Sequence, residues 1–155
     1  MRFCYVSLGS NVGDRAEHLA RGVEIVAGSD EHRVSLVYET EPLGGPDQSD
    51  FWNLVVEVNS DATARELLER CRAAEAARER VRAERWGPRT LDADVLLVGD
   101  ERSDDPEILV PHPRLHQRAF VLVPLRELAP ALVSDEQLRA GVGRVVALGT
   151  LESLL

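Results

Sequence analysis

RWGPRTLDADVLLV, residues 85–98, is the stretch from which the fold of this chain can be worked outward. Its second part, residues 91–98, is mostly apolar and is followed by the turn formers Gly99-Asp100, which is typical of a β-strand. Gly87-Pro88 cannot continue a helix, so the helix that comes before must end before Trp86. The stretch therefore marks the passage from a helix to a strand.

Three further strands are predicted upstream, over residues 2–8, 34–39 and 52–58. One helix begins near Asp14, and a second begins at the capping box Thr63–Glu66. The apolar residues that recur at helical spacing are Leu19, Val23 and Val26 in the first helix and Leu67, Leu68, Cys71 and Ala74 in the second. The element order is β-α-β-β-α-β.

This order predicts an α+β fold, a ferredoxin-like βαββαβ sandwich with a mostly antiparallel sheet and two helices on one face. The tail after residue 118 adds an extended piece and one or two helices as a C-terminal extension. The length and apolar fraction of the chain fit a single domain over residues 1–155.

Composition excludes several classes of function. The net charge of −9 disfavours a nucleic-acid partner, because phosphate backbones select basic surfaces. The sequence contains no apolar run long enough to span a membrane, and its N-terminal apolar run is too short for a signal peptide. Cys4 and Cys71 lack metal-ligand spacing and are expected to be small buried residues in a reducing compartment. We expect a cytoplasmic monomer.

A basic segment, residues 78–89, carries five arginines against Glu79 and Glu84. A basic island in an acidic chain suits a small anion, although a salt-bridged helix end explains the charges equally well. All basic residues other than histidine are arginines, which excludes the lysine-containing phosphate loop.

Asp92 and Asp94 lie two residues apart in the predicted strand, so both carboxylates point to the same face. Oxygen-only ligands suit magnesium, which takes one or two carboxylates together with water and substrate phosphates. A structural ion pair with Arg85 or Arg89 is the alternative. Arg89 follows the rigid Gly87-Pro88 turn, and its planar guanidinium can hold a phosphate with two hydrogen bonds.

Two other segments carry candidate site residues. His112 lies between two prolines and near Arg118, which favours a phosphate contact over a role as general base. The long loop that ends in Phe51-Trp52-Asn53 places an aromatic ring and an amide on one strand face. That pair can stack on a flat heterocycle and hydrogen-bond to it. Alternatively, Phe51 is a core residue and Asn53 a turn residue.

The segments that carry a family resemblance are, in chain order, SLGSN, YET, DFWN, RWGPRTLDADVLLVG, VPHP and LHQRAFVL. Through these segments, the sequence resembles the 6-hydroxymethyl-7,8-dihydropterin pyrophosphokinases of folate biosynthesis. The resemblance extends from residue 1 to residue 130. It implies a ferredoxin-like fold and transfer of pyrophosphate from ATP to the hydroxymethyl group of the dihydropterin, with release of AMP.

The resemblance also implies site residues. Asp92 and Asp94 match the aspartates that bind two magnesium ions, and Arg80, Arg82 and Arg89 complete the catalytic group. The nucleotide positions are Glu75, Arg85, Arg89, His112 and Arg118. The pterin positions are Thr40, Leu43, Phe51, Asn53, Trp86 and Phe120. Arg80, Arg82 and Trp86 match a mobile loop that closes over the phosphates.

Two departures from the family pattern affect these assignments. Glu79 stands where the family commonly has glycine, and the segment from there to Trp86 is slightly short, so Arg78 or Arg85 can share the roles of Arg80 and Arg82. Phe51 stands where tyrosine is frequent, and stacking needs only the ring face. Two other functions remain open: a two-metal phosphohydrolase that uses the same aspartates, and a non-catalytic pterin or nucleotide binding module.

Overall fold

The fold is known from a computed structural model, which describes residues 1–41, 49–78 and 90–155. Its strands are β1 (Arg2–Ser10), β2 (Glu31–Val34), β3 (Val37–Thr40), β4 (Phe51–Ser60), β5 (Asp92–Val98) and β6 (Val145–Gly149). Its helices are α1 (Arg15–Ala27), α2 (Ala64–Arg78), α3 (Ala119–Leu128), α4 (Asp135–Ala140) and α5 (Leu151–Leu154), with a short 3-10 helix at Pro130–Leu132.

The strands form one open sheet in the order β5-β1-β4-β3-β6, and β2 pairs with β4 beside β3. The pairs that build it are antiparallel. The sheet and the helices packed on it confirm the predicted ferredoxin-like α+β fold. β1 lies between β4 and β5 and so brings together strands that are far apart in the sequence.

The two faces of the sheet are covered differently, because side chains alternate along each strand. The face that we call the core face carries Cys4, Val6 and Leu8 of β1 and packs against the buried apolar residues of α1 and α2. The opposite face, the site face, carries Tyr5, Ser7 and Gly9. A second apolar cluster joins Tyr5, Val55 and Leu96 of this face to Val121, Leu122, Leu125 and Leu128 of α3.

The predicted helix starts agree with the structure. The Asp14 side chain accepts a hydrogen bond from the Glu17 N–H at 3.1 Å, and the Thr63 hydroxyl oxygen accepts one from the Glu66 N–H at 3.1 Å. The second half of the expected capping box differs, since the Thr63 hydroxyl itself donates to the Glu66 carboxylate at 3.2 Å. Cys4 and Cys71 are buried free thiols, as predicted.

Two predictions about strands were incomplete. The single strand expected over residues 34–39 is divided between β2 and β3. Ser35 causes the break, because its hydroxyl accepts the Val55 N–H at 3.0 Å, while the Leu36 N–H turns away to the Glu127 carboxylate at 3.0 Å. The tail contains more than expected, since it supplies α3, α4, α5 and also β6, which joins the sheet beside β3.

Candidate active site

A cavity of about 330 Å³ opens on the site face at the end of the sheet where β4 and β5 begin. Its lining comes from β1, β3, β4, β5 and the start of α3: Ser7, Gly9, Thr40, Glu41, Phe51, Asn53, Asp92, Asp94, Arg118 and Phe120. Gly9 pairs with Asn53 on one side and Asp92 on the other, and Ser7 pairs with Asp94. The small residues of β1 therefore leave room between the polar side chains of its neighbours.

One half of the cavity is built from aromatic rings and an amide. Phe51 and Asn53 share the site face, as the alternation predicted, and Phe120 lies at the start of α3. The Asn53 side-chain N–H donates to the Thr40 hydroxyl oxygen at 2.6 Å, and both residues are 4% exposed. Trp52 points to the other face, where the Arg15 guanidinium lies 4.3 Å from its ring centroid. A flat ring can stack in this half while the amide contacts its edge.

The other half of the cavity carries the two carboxylates. Asp92 and Asp94 line it from β5, on the same face, as predicted. The backbone between them is held from outside the sheet, since the Ala93 N–H donates to Glu75 Oε2 of α2 at 3.1 Å. This bond satisfies a backbone group at the outer edge of β5 and ties α2 to the strand that carries the aspartates.

The donor set at Asp92 and Asp94 is compatible with magnesium. Within the described part of the chain, no group of three or more histidine, cysteine, aspartate or glutamate residues is placed to hold a metal ion. Zinc sites usually need such a group, whereas magnesium takes one or two carboxylates and completes its shell with water and substrate phosphates. The pair of carboxylates that faces the cavity therefore fits magnesium.

His112 lies against the same outer edge of β5 as Glu75. Its backbone N–H donates to the Leu96 carbonyl at 2.9 Å, and its Nδ1 accepts the Arg114 N–H at 3.1 Å. Burial lowers the pKa of His112, the Asp94 charge opposes this shift, and the charges of Arg118 and Arg114 add to it. A neutral ring with Nδ1 as acceptor carries its proton on Nε2, so it offers a donor to an anionic group.

Arg118 brings positive charge to the cavity at the N-terminus of α3. Burial and the Arg114 charge lower its pKa, and Asp94 opposes the shift. Arginine still remains fully charged near neutral pH. Its guanidinium lies 5.5 Å from the centroid of the Phe120 ring, which orients the two side chains relative to each other. The site thus contains both carboxylates and a partly desolvated cation.

The structure brings together many of the residues that the sequence singled out. The cavity is lined by Thr40, Phe51, Asn53, Asp92, Asp94, Arg118 and Phe120. Glu75 and His112 lie beside it on the outer edge of β5. Leu43, Arg80, Arg82, Arg85, Trp86 and Arg89 lie outside the described residues, so their assigned roles remain predictions.

Sequence reasoning missed three residues of the cavity wall, Ser7, Gly9 and Glu41. The first two carry a signal that can be recognised. In β1, the site face changes from Tyr5 to Ser7 and then Gly9, while the core face stays apolar with Val6 and Leu8. Small residues at alternate positions indicate a place where something approaches the sheet closely.

Comparison with known proteins shows the class of enzyme to which this chain belongs. The chain is 46% identical over 136 residues to a protein of Methylorubrum extorquens, covering 86% of each chain. It is 42% identical over 127 residues to a Bacillus subtilis protein, covering 80% of this chain and 76% of that one. A Pseudomonas aeruginosa protein is 42% identical over 131 residues, covering 83% and 81%.

All three relatives are named 2-amino-4-hydroxy-6-hydroxymethyldihydropteridine pyrophosphokinase. The chain is therefore a diphosphotransferase, a kinase that acts on a small molecule in folate biosynthesis. Residues 5–130 match the model of a family described as 7,8-dihydro-6-hydroxymethylpterin-pyrophosphokinase. The protein belongs to this family.

Proposed function

We propose that this enzyme transfers the terminal pyrophosphoryl group of ATP to the hydroxymethyl oxygen of 6-hydroxymethyl-7,8-dihydropterin and releases AMP. The substrate is the one in the names of its relatives. The observation that carries the proposal is the composition of the cavity, where Phe51, Asn53 and Phe120 face the same space as Asp92, Asp94 and Arg118. A heterocycle with a hydroxymethyl arm can lie with its ring in one half and its oxygen toward the other.

The pterin half is assigned to residues that suit a flat ring with polar edges. Phe51 and Phe120 would stack on its two sides, and Asn53 and Thr40 would hydrogen-bond to its edge. Leu43 and Trp86 are proposed to complete this pocket. The buried Asn53–Thr40 hydrogen bond supports the assignment, because it holds the amide in one orientation before any ligand arrives.

Asp92 and Asp94 are proposed to hold two magnesium ions together with phosphate oxygens of the nucleotide. Bound there, the ions would lower the pKa of a primary alcohol and neutralise developing charge, so that a strong side-chain base is unnecessary. The hydrogen bond from the Ala93 N–H to Glu75 would keep the backbone between the two carboxylates fixed while both carboxylates bind the metal ions.

Glu75, Arg85, Arg89, His112 and Arg118 are proposed to bind ATP. His112 supports this role because an Nε2 proton suits a phosphate oxygen, and Arg118 because its charge is partly desolvated. Arg80 and Arg82 are proposed to close over the phosphates with Trp86. Such a closure would exclude water, which competes with the alcohol for the pyrophosphoryl group.

The domain organisation, oligomeric state and cellular location of the enzyme are proposed from its sequence. We infer a single domain over residues 1–155 that works as a cytoplasmic monomer on small molecules, without a nucleic-acid or membrane partner. In the described residues, none of the helices has the length and apolar character needed to cross a membrane.

The test is to mix the protein with ATP, magnesium and 6-hydroxymethyl-7,8-dihydropterin, and to measure AMP and the pterin pyrophosphate by chromatography. The proposal expects both products in equal amounts, and neither of them when the pterin is omitted. Phosphate release from ATP without pterin would instead indicate a two-metal phosphohydrolase. Binding of both substrates without any product would indicate a binding module.

A further inference from the structure

Gly9 occupies a position in the cavity at which a side chain would meet the Asn53 amide. Gly9 pairs with Asn53 in β4 and with Asp92 in β5, so it lies between the two halves of the site. An ideal Cβ on Gly9 would lie 2.4 Å from Asn53 Oδ1 and 3.5 Å from both Asn53 Cγ and Phe51 Cδ1. The first distance is far inside van der Waals contact, so the amide would have to move.

The amide has little freedom to move without losing its orientation. Its Nδ2 donates to the Thr40 hydroxyl oxygen at 2.6 Å, which directs Oδ1 over Gly9. Thr40 and Asn53 are each 4% exposed, so a displaced amide would leave a buried polar group without its partner. The backbone conformation does not require glycine at this position, because Gly9 is not among the described glycines that have a positive φ angle.

We propose that Gly9 is a specificity-determining residue, whose missing side chain lets the Asn53 carboxamide lie flat on β1 in the orientation that reads a heterocycle edge. In that orientation the amide oxygen accepts from a ring donor, while Thr40 fixes the nitrogen side. This inference rests on the proposed function for the identity of the ring. The steric relation between Gly9 and Asn53 does not depend on it.

The experiment is a double-mutant cycle with Gly9→Ala, Asn53→Ala and the double variant. The dissociation constant for 6-hydroxymethylpterin is measured by titration calorimetry, together with the affinity for a non-hydrolysable ATP analogue. Gly9→Ala is expected to weaken pterin binding roughly tenfold and to leave ATP-analogue binding unchanged. In the Asn53→Ala background, the same glycine substitution is expected to weaken pterin binding less than about twofold, because the clashing atom is gone.

A second measurement uses no ligand. The Asn53 side-chain amide resonances of ¹⁵N-labelled protein should shift in Gly9→Ala, because the bond to Thr40 is broken or bent. Failure of wild-type protein to bind pterin would overturn the proposed function, while the resonance shift would still test the role of Gly9. Equal losses of pterin affinity in both backgrounds, or unchanged amide resonances in Gly9→Ala, would overturn the inference.

If Gly9→Ala does not fold, the double variant should fold, since removing the amide relieves the contact. Thr40→Val then tests the same orientation from the opposite side. It is expected to shift the Asn53 amide resonances and to weaken pterin binding by a similar factor. A double variant that also fails to fold, or a Thr40→Val protein with unchanged resonances and affinity, would overturn the inference.

Discussion

The two faces of the sheet are made by the same strands and yet differ in what they do. The core face is apolar along its length and is covered by α1 and α2. The site face is apolar only in its middle, where Tyr5 and Val55 meet α3. At one end it opens into the cavity at Ser7 and Gly9, and at the other it carries the buried charge of Glu57.

This difference shows how one set of strands can serve stability and chemistry at once. Since alternate residues point to opposite faces, a strand can keep one face for burial and change the other without altering its pairing. In β5, Ala93 and Val95 join the core, while Asp92 and Asp94 face the cavity. Substitutions on the two faces should therefore have separable effects on folding and on turnover.

The largest effect is expected at the carboxylates of the site face. Asp94→Ala should lower kcat/KM by roughly 10⁴-fold, about 5 kcal/mol, because it removes a proposed metal ligand. Thermal unfolding should be almost unchanged, since Asp94 is exposed in the cavity. The measurement is a steady-state assay beside a calorimetric melt, with the exposed Asp100→Ala as the control. Wild-type turnover by Asp94→Ala would contradict the assignment of this residue.

A pair of matched leucines compares the two clusters directly. Leu67 in α2 is 0% exposed in the core-face cluster, and Leu125 in α3 is 1% exposed in the site-face cluster. Leu67→Ala should cost about 3–4 kcal/mol of unfolding free energy and Leu125→Ala about 2–3, since a cluster beside an open cavity relaxes more easily. Urea unfolding measures both values. A greater loss for Leu125→Ala would contradict this ranking of the two faces.

Two substitutions at Phe51 distinguish ring stacking on the pterin from simple filling of the cavity. Phe51→Leu should raise KM for the pterin about tenfold, near 1.4 kcal/mol, because an aliphatic group loses the stacking contribution. Phe51→Tyr should stay close to wild type, because it keeps the ring face. KM for ATP serves as the internal control in both variants. If Phe51→Leu and Phe51→Tyr behaved alike, stacking at this position would be ruled out.

The smallest effect is expected at the buried charge of the site face. Glu57 accepts the Tyr5 hydroxyl at 2.7 Å and two Arg33 donors at 2.8 and 3.0 Å, and Arg33 also donates to the Leu128 carbonyl. Burial raises the Glu57 pKa, but the hydrogen bonds from Arg33 and Tyr5 and the Arg33 charge outweigh it, so the pKa is lowered from its usual 4.5. The stabilising contribution of the ionised Glu57 is therefore fully present at pH values above 4.5.

As the pH falls through the lowered pKa, Glu57 takes up a proton and this contribution is lost. Glu57→Gln should therefore reduce stability by about 1 kcal/mol at neutral pH and flatten the loss of stability below pH 4.5. Urea unfolding at a series of pH values measures the change in stability. The control is Glu24→Gln, which removes the carboxylate of the exposed Arg21–Glu24 ion pair. An acid profile identical to that of wild type would contradict a role for Glu57.

Local signals in the sequence were sufficient for most of the elements up to β5 and for several site residues. Asp14 and Thr63 mark helix starts by their capping side chains, and the spacing of Asp92 and Asp94 places both on one face. The division of β2 from β3 was missed, since it depends on Glu127, which is 91 residues from Leu36. The close approach of Asn53 to Gly9 was missed for a similar reason, because the side chain that a Cβ on Gly9 would clash with belongs to another strand.

The sequence alone determined the β-α-β-β-α-β order up to β5 apart from the division of β2 from β3, the shared face of the aspartates and the family resemblance, because these follow from periodicity and from short motifs read along the chain. Only the tertiary structure decided which side chains meet across the cavity. β1 lies between β4 and β5, so Gly9 stands between Asn53 and Asp92, and the edge of β5 reaches Glu75 and His112. Such contacts join distant parts of the chain, and their distances are fixed by packing rather than by any local pattern.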